Sequence, residues 1–191
     1  MKNIISVLVL LICTSCGIQE IPKSVNDVEA KWAQVLNQYK RRSDLIPNLV
    51  NVVKGYAKHE KETLTAVIEA RAKATSTNVN FKDLNPQTIN NFSQAQGALT
   101  NALSKLMVVV EKYPNLKASD QFGKLQSQLE GTENRITVAR KRYIESIQGF
   151  NNLITVPPTS FTNSLFYHHQ KKPQFTVDNV EEVIKAPKVQ F

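Results

Sequence analysis

Apolar side chains recur at helical spacing from Trp32 to Ala74, and this long stripe limits the possible folds more than any other feature of the sequence. Its three- and four-residue steps place the side chains along one face of a helix. The members of the stripe are Trp32, Val35, Tyr39, Ile46, Leu49, Val53, Tyr56, Val67 and Ala70. We predict one long helix that begins near Asn26, which forms a capping box with Glu29. Over residues 32–74 it would span roughly 65 Å, and it needs partner helices to bury its stripe.

Pro47 lies inside this stripe, and proline removes one backbone hydrogen bond from a helix. The stripe keeps its register across Pro47, and the surrounding residues are not of the kinds that form loops. We therefore predict a kink near Pro47 within a continuous helix.

Two further apolar stripes supply the partners of the first. Asn85 and Pro86 form an N-cap and a first-turn proline, and the second helix continues to about Lys112. A third helix begins near Asp120 and carries the third stripe. Helices joined by short connections are antiparallel neighbours. The sequence therefore predicts an all-α fold, an elongated antiparallel up-and-down bundle of three long helices over residues 26–154.

Residues 155–191 form a tail that contains several prolines and phenylalanines. Disordered segments are usually poor in aromatic residues, so we expect the tail to dock on the bundle as a shorter fourth element. Asp178 and Glu181 indicate one short helix over residues 179–185.

The first sixteen residues have the pattern of an export signal. Lys2 is followed by the apolar run Ile4–Ile12, and small residues precede Cys16. The run is shorter than the about 20 residues of a membrane-spanning helix, and the pattern is typical of a bacterial lipoprotein signal peptide. We predict cleavage after residues 1–15, lipid (palmitate) on Cys16, a tether over residues 16–25, and a location in the bacterial cell envelope, facing the periplasm or the exterior. The alternative is a Cys13–Cys16 pair, a weak CxxC match inside an apolar export signal.

Polar residues interrupt the second and third stripes at Gln96 and Thr132. If the chain reverses near residues 80 and 116, Thr132 lies level with Glu60, and Gln96 lies within about one helical turn of both. Glu133 follows Thr132 in the sequence. We therefore predict a polar layer of Glu60, Gln96, Thr132 and Glu133 midway along the bundle. Such a layer fixes helix register at some cost in stability, and the alternative role is a ligand or proton site.

Six runs combine charged, proline, glycine and apolar positions across most of residues 26–154 and at the last five positions. They are Trp32-Ala33, RRSDLIPNLVNVVKGYAKHEKETL (41–64), EARAKA (69–74), EKYPNLKA (111–118), LQSQLEGTENRITVARKRY (125–143) and PKVQF (187–191). In these runs the chain resembles the LemA family. The resemblance implies an elongated helical bundle held at a bacterial membrane, and it implies no reaction. The chain departs from the family pattern at two places. A lipobox-like site stands where many relatives carry an uncleaved transmembrane helix, and Val156-Pro157-Pro158 stands where the family pattern is usually Phe-Pro.

Motifs for catalysis or metal binding are incomplete in the sequence. His59-Glu60 begins a zinc protease motif, but Thr63 stands where the second histidine is required. Glu130 and Glu133 could act as paired acids, although such residues more often pair with nearby arginines. We therefore predict no enzymatic activity, no metal and no cofactor.

The net charge of +8 comes from lysines and arginines spread over all three helices and the tail. This spread is typical of a solvated surface, and it also suits anionic headgroups or envelope polymers. We predict a non-enzymatic, membrane-anchored lipoprotein that binds an envelope protein or an anionic envelope polymer and no nucleic acid. The alternative is an enzyme or accessory subunit with a site in the polar layer.

Overall fold

The computed structural model describes the backbone of residues 2–77 and 79–175 and the side chains from residue 18 onward within these ranges. This part of the chain contains helices and no strand, which confirms the all-α prediction. The α-helices are α1 (Lys2–Tyr56), α2 (Lys61–Ser76), α3 (Pro86–Val110), α4 (Pro114–Lys117), α5 (Asp120–Thr155) and α6 (Thr159–Thr162). A 3₁₀ turn covers Phe81–Asp83, and a π-helical turn covers Asn163–Tyr167.

Four helices, α1, α2, α3 and α5, run alternately up and down. The α5 helix packs antiparallel along α1, and α2 packs between α1 and α3. The α3 and α5 helices stand further apart. The predicted count of three long helices is therefore wrong, because the first stripe supplies two helices.

The chain reverses between α1 and α2, at residues 57–60, and not near residue 80. Ser43 Oγ lies 2.9 Å from Thr75 Oγ1, which shows that α2 runs back along α1. The connection has four residues, about one helical turn, so the apolar spacing continues in register across it. This is why the stripe from Trp32 to Ala74 has the pattern of a single helix.

The α1 helix continues through Pro47, as expected. Proline cannot donate the helical hydrogen bond that the Ser43 carbonyl would accept. Arg71 of α2 donates from its Nε to this carbonyl over 2.8 Å. A side chain of the neighbouring helix thus satisfies the backbone group that Pro47 leaves open.

The helix begins before Asn26, since α1 includes residues 17–25, where a tether was expected. Ile21 and Val28 are fully buried and extend the stripe of Trp32 toward the N-terminus in steps of four and seven residues. The capping-box prediction at Asn26 is therefore wrong. The second and third helices, in contrast, begin where predicted, and the Asn85 side chain accepts a hydrogen bond from the Thr88 N–H over 2.9 Å.

The tail docks on the bundle as far as Phe175, whose ring lies 5.9 Å from Trp32 and 5.6 Å from Tyr143. The Asn151 side chain accepts a hydrogen bond from the Lys172 N–H and donates one to its carbonyl, over 2.8 and 3.1 Å. These contacts cover the part of the bundle that α2 is too short to reach. The helix predicted over residues 179–185 lies outside the described residues.

The core has two apolar clusters, separated by a band of buried polar side chains. The cluster nearer the N-terminus of α1 includes Ile21, Val28, Trp32, Tyr39, Phe92, Ile136, Tyr143 and Phe150. The other includes Ile46, Leu49, Val53, Leu64, Leu99, Leu103, Leu106 and Phe122. The band between them is the candidate site.

Candidate functional site

Arg42 lies at the centre of the bundle, with only 1% of its surface exposed. It falls three residues after Tyr39 and four before Ile46, so helix geometry points it inward with the apolar stripe. A buried guanidinium is always charged and carries five N–H donors. The helices around Arg42 must therefore supply acceptors.

Arg42 donates hydrogen bonds to side chains of α3 and α5. Its Nη1 donates to Glu133 Oε1 over 2.8 Å and to Thr100 Oγ1 over 3.0 Å. Its Nη2 donates to Gln96 Oε1 over 2.6 Å and to the Gln96 carbonyl over 3.3 Å. Gln96 Nε2 in turn donates to the Ala74 carbonyl at the end of α2 over 3.2 Å. One cation thus links all four long helices, and we call Arg42, Gln96, Thr100 and Glu133 the Arg42 layer.

The predicted polar layer shares two members with this arrangement, Gln96 and Glu133. Thr132 is fully buried beside them, but its hydroxyl donates to the Gln128 carbonyl of its own helix over 2.8 Å. Glu60 lies elsewhere, in the α1–α2 connection, where it accepts a hydrogen bond from Tyr113 Oη over 3.0 Å. The predicted position of Glu60 along the bundle was wrong, because the chain first reverses at residues 57–60 and not near residue 80.

Sequence reasoning missed Arg42, which it counted among the lysines and arginines of a solvated surface. The signal that could have found it is its position on the stripe, three residues from Tyr39 and four from Ile46. Arg41 and Lys40 do not share this position, and both are exposed.

The charges of the Arg42 layer differ in their access to water. The Arg42 side chain is 2% exposed and that of Glu133 is 41% exposed. The Tyr39 ring lies 5.1 Å from the guanidinium carbon, and burial raises the pKa of Tyr39 against the opposing effect of Arg140 and Arg42. Since arginine does not release its proton, the layer can hold a charge and align helices, but Arg42 cannot act as an acid or base.

Two openings flank the Arg42 layer. A cavity of about 260 Å³ between α1, α2 and α3 is lined by Tyr39, Ser43, Thr75, Phe92 and Gln96, among others. A groove of about 250 Å³ between α3 and α5 has an apolar floor and two carboxylates at its rim. The groove is lined by Thr100, Leu103, Met107, Leu129, Glu130 and Glu133, with Ser104 and Gln126.

A model of the LemA family matches residues 31–191. The chain belongs to the LemA family. Magnetosome protein MamQ of Magnetospirillum gryphiswaldense is 30% identical over 83 residues, which cover 40% of this chain and 30% of that protein. Magnetosome proteins MamQ 1 and MamQ 2 of Paramagnetospirillum magneticum are each 34% identical over 67 residues, 35% of this chain and 25% of theirs. This LemA-family chain therefore spans less than a third of the length of the curated relatives it matches.

Metal-binding clusters and membrane-spanning helices are both missing from the described part of this LemA-family chain. Among these residues, no three His, Cys, Asp or Glu side chains gather closely enough to hold a metal ion. No helix of the same part of the chain is long and apolar enough to cross a membrane. The side chain of Cys16, the predicted lipid attachment site, lies outside the described residues.

Proposed function

We propose that the chain is a non-enzymatic lipoprotein of the bacterial cell envelope, anchored through lipid on Cys16, whose bundle binds a protein partner. The lipobox-like sequence before Cys16 and the membership of the LemA family support this proposal. The observation that most favours a non-enzymatic role is that the polar side chains of the Arg42 layer are hydrogen-bonded to one another.

The pairing matters because a catalytic polar layer needs a group that faces substrate. Here both terminal nitrogens of the Arg42 guanidinium donate to Gln96, Thr100 and Glu133, and its Nε is buried without a partner among the described residues. The Gln96 amide bonds to Arg42 and to the Ala74 carbonyl. A buried polar group that links several helices is a well-attested way to fix register. The Arg42 layer therefore favours a structural role over the alternative of an enzyme.

The groove between α3 and α5 is the surface we assign to the partner. Its floor of Leu103, Met107 and Leu129 suits apolar side chains, and Glu130 and Glu133 at its rim favour a basic residue next to them. The chain as a whole carries a net charge of +8, so two carboxylates at one rim are unusual for this protein. The spread of lysines and arginines additionally suits anionic headgroups or envelope polymers.

The anchoring part is tested by Cys16→Ser in cells grown with labelled fatty acid. We expect the variant to lose the label and to leave the membrane fraction or remain unprocessed. Conversion to serine removes only the thiol, so folding of the bundle should not change. Undiminished label in the variant would refute the lipoprotein proposal.

The partner part is tested by a photo-reactive amino acid introduced in intact cells at Ser104, an exposed residue lining the groove. Ala98 is the matched control, since it is also exposed on α3 but does not line the groove. We expect one defined crosslinked protein at Ser104 and none at Ala98. Equal crosslinking at both positions would contradict the assignment of the groove. An activity of the purified protein that Glu133→Gln abolishes would favour the enzyme alternative.

A further inference from the structure

Large apolar side chains are exposed together at one end of the bundle. Val156, Phe161, Leu165 and Phe166 are 55%, 65%, 71% and 66% exposed, and all lie within eleven residues that follow α5. We call these four residues the end patch. Other exposed large apolar residues of the described chain, such as Ile68, Val108 and Val138, lie singly on separate helices. A concentration of exposed apolar side chains of this kind marks an interaction site.

The end patch is held in place by polar contacts on its inner side. Asn163 is buried, its Oδ1 accepts a hydrogen bond from the His169 N–H, and its Nδ2 donates to the His169 carbonyl, each over 3.0 Å. These bonds close the segment into a compact turn. Phe161 and Leu165 are four residues apart, as helical neighbours on an outer face are, and Phe166 lies beside them.

The position of the end patch relates it to the predicted anchor. Tyr167 Oη donates a hydrogen bond to the Ile18 carbonyl over 2.7 Å, so the segment sits against α1 at Ile18. Cys16 precedes Ile18 by two residues, and two residues of chain span at most about 7 Å in any conformation. A lipid on Cys16 would therefore hold this end of the bundle at the surface of the bilayer.

We propose that the end patch inserts into the lipid bilayer interface as a second, non-covalent membrane contact beside Cys16. This inference rests on the membrane anchoring proposed above. Aromatic and aliphatic side chains on a short helical segment are the usual content of such contacts, and lipid anchors commonly act together with a second membrane contact. Lys171, which is exposed a few residues further along, adds a positive charge that suits anionic headgroups.

The shape of the end patch favours a bilayer over a protein groove or a second copy of the chain. Its side chains are more than half exposed, and none of them lines the cavity or the groove described above. Its distance from Cys16 leaves a folded partner little room between the patch and the headgroups. A bilayer can cover it without any further contact of the bundle.

The test uses the full chain, isolated with its native modification and reconstituted into phosphatidylethanolamine and phosphatidylglycerol vesicles with brominated acyl chains. Phe166→Trp places an indole in the end patch. Val108→Trp places one at an equally exposed position near the C-terminus of α3, away from the end patch. Trp32 is 2% exposed in the core and gives the same background in both variants. Circular dichroism verifies that each variant is folded, and Phe161→Trp replaces Phe166→Trp if that variant is not.

We expect the brominated lipid to quench most of the emission that Phe166→Trp adds, with a shift to shorter wavelength, and to leave that of Val108→Trp unchanged. Equal quenching of the two variants, or none at Phe166→Trp, overturns the proposal. A wavelength shift without quenching also overturns it, because it shows that protein and not lipid covers the patch.

Fatty acid label on the same preparations of the Trp variants reports the anchor separately. Unlabelled protein that still shows quenching at Phe166→Trp refutes the lipid on Cys16 and supports insertion. Labelled protein without quenching supports the anchor and refutes insertion.

Discussion

A double-mutant cycle between Arg42 and Gln96 tests whether the Arg42 layer holds the bundle in register. Gln96→Leu keeps the side-chain volume but removes the acceptor that lies 2.6 Å from Arg42 Nη2 and the donor to the Ala74 carbonyl. The guanidinium is too deeply buried to turn to water instead. A lost hydrogen bond to a charged group costs about 1.5–3 kcal/mol and an orphaned buried carbonyl about 1 kcal/mol more, so we expect the free energy of unfolding to fall by about 3 kcal/mol.

Arg42→Met alone should cost about 1–3 kcal/mol, because it leaves Gln96 Oε1 buried without a donor. The half-exposed Glu133 carboxylate can turn to water in this variant. In the double variant Arg42→Met/Gln96→Leu neither the cation nor the amide remains. Its loss of stability should therefore be smaller than the sum of the two single losses by about 1.5–3 kcal/mol, which is the coupling energy of the pair.

Urea unfolding followed by far-ultraviolet circular dichroism and by Trp32 fluorescence gives these free energies, provided that the two transitions coincide. The matched control is the exposed pair Lys40–Asp44, one turn of α1 apart at 3.2 Å, with side chains 74% and 56% exposed. Its coupling energy should be only about 0.3–0.5 kcal/mol. If the Arg42–Gln96 coupling is no larger than that of the control pair, the reasoning about the Arg42 layer is refuted.

Two further predictions concern the core. Leu49, Leu103 and Ile136 are buried, and each change to alanine should lower the free energy of unfolding by about 2–5 kcal/mol, whereas Val108→Ala, at an exposed site, should leave it nearly unchanged. The Tyr143 hydroxyl is buried without a hydrogen-bond partner among the described residues, so Tyr143→Phe should stabilise the protein by about 1 kcal/mol at neutral pH. Burial raises the pKa of Tyr143 above its ordinary value of 10.0, so above pH 10 the tyrosine ionises more readily in the unfolded chain than in the folded protein. This difference leaves the free energy of unfolding unchanged below pH 10 and lowers it above pH 10. Unfolding curves should therefore show a smaller loss of stability above pH 10 in Tyr143→Phe than in the wild type.

The second half of the bundle could be predicted from the sequence because its signals are local. The N-cap Asn85 and the following proline mark the start of α3, and the reversal near residue 116 lies between α3 and α5. That reversal brings Gln96 and Glu133 to one level, as expected. Two of the three side chains that Arg42 contacts on the later helices, Gln96 and Glu133, were therefore within reach of sequence reasoning.

The first half could not be predicted, for two physical reasons. A four-residue connection after Tyr56 preserves helical spacing, so periodicity alone does not distinguish a reversal from a continuous helix. The residue types also mislead, since Arg42 has two basic neighbours that are solvated. The spacing of Arg42 from Tyr39 and Ile46 is the one sequence signal in the other direction, and the contacts of the folded bundle show that Arg42 belongs to the interior.

The Arg42 layer and the end patch are connected through the register of α1 and α5. The antiparallel alignment that pairs Arg42 with Glu133 also stacks Trp32 on Tyr143, with ring centroids 5.1 Å apart. Continued along both helices, it brings the end of α5 at Thr155 level with the residues just after Ile18. A slip by one helical turn would move the end of α5 by about 5.4 Å along α1, and with it the end patch relative to Cys16. A polar layer that specifies register at the middle of the bundle thus also specifies which residues of its end lie closest to the predicted anchor.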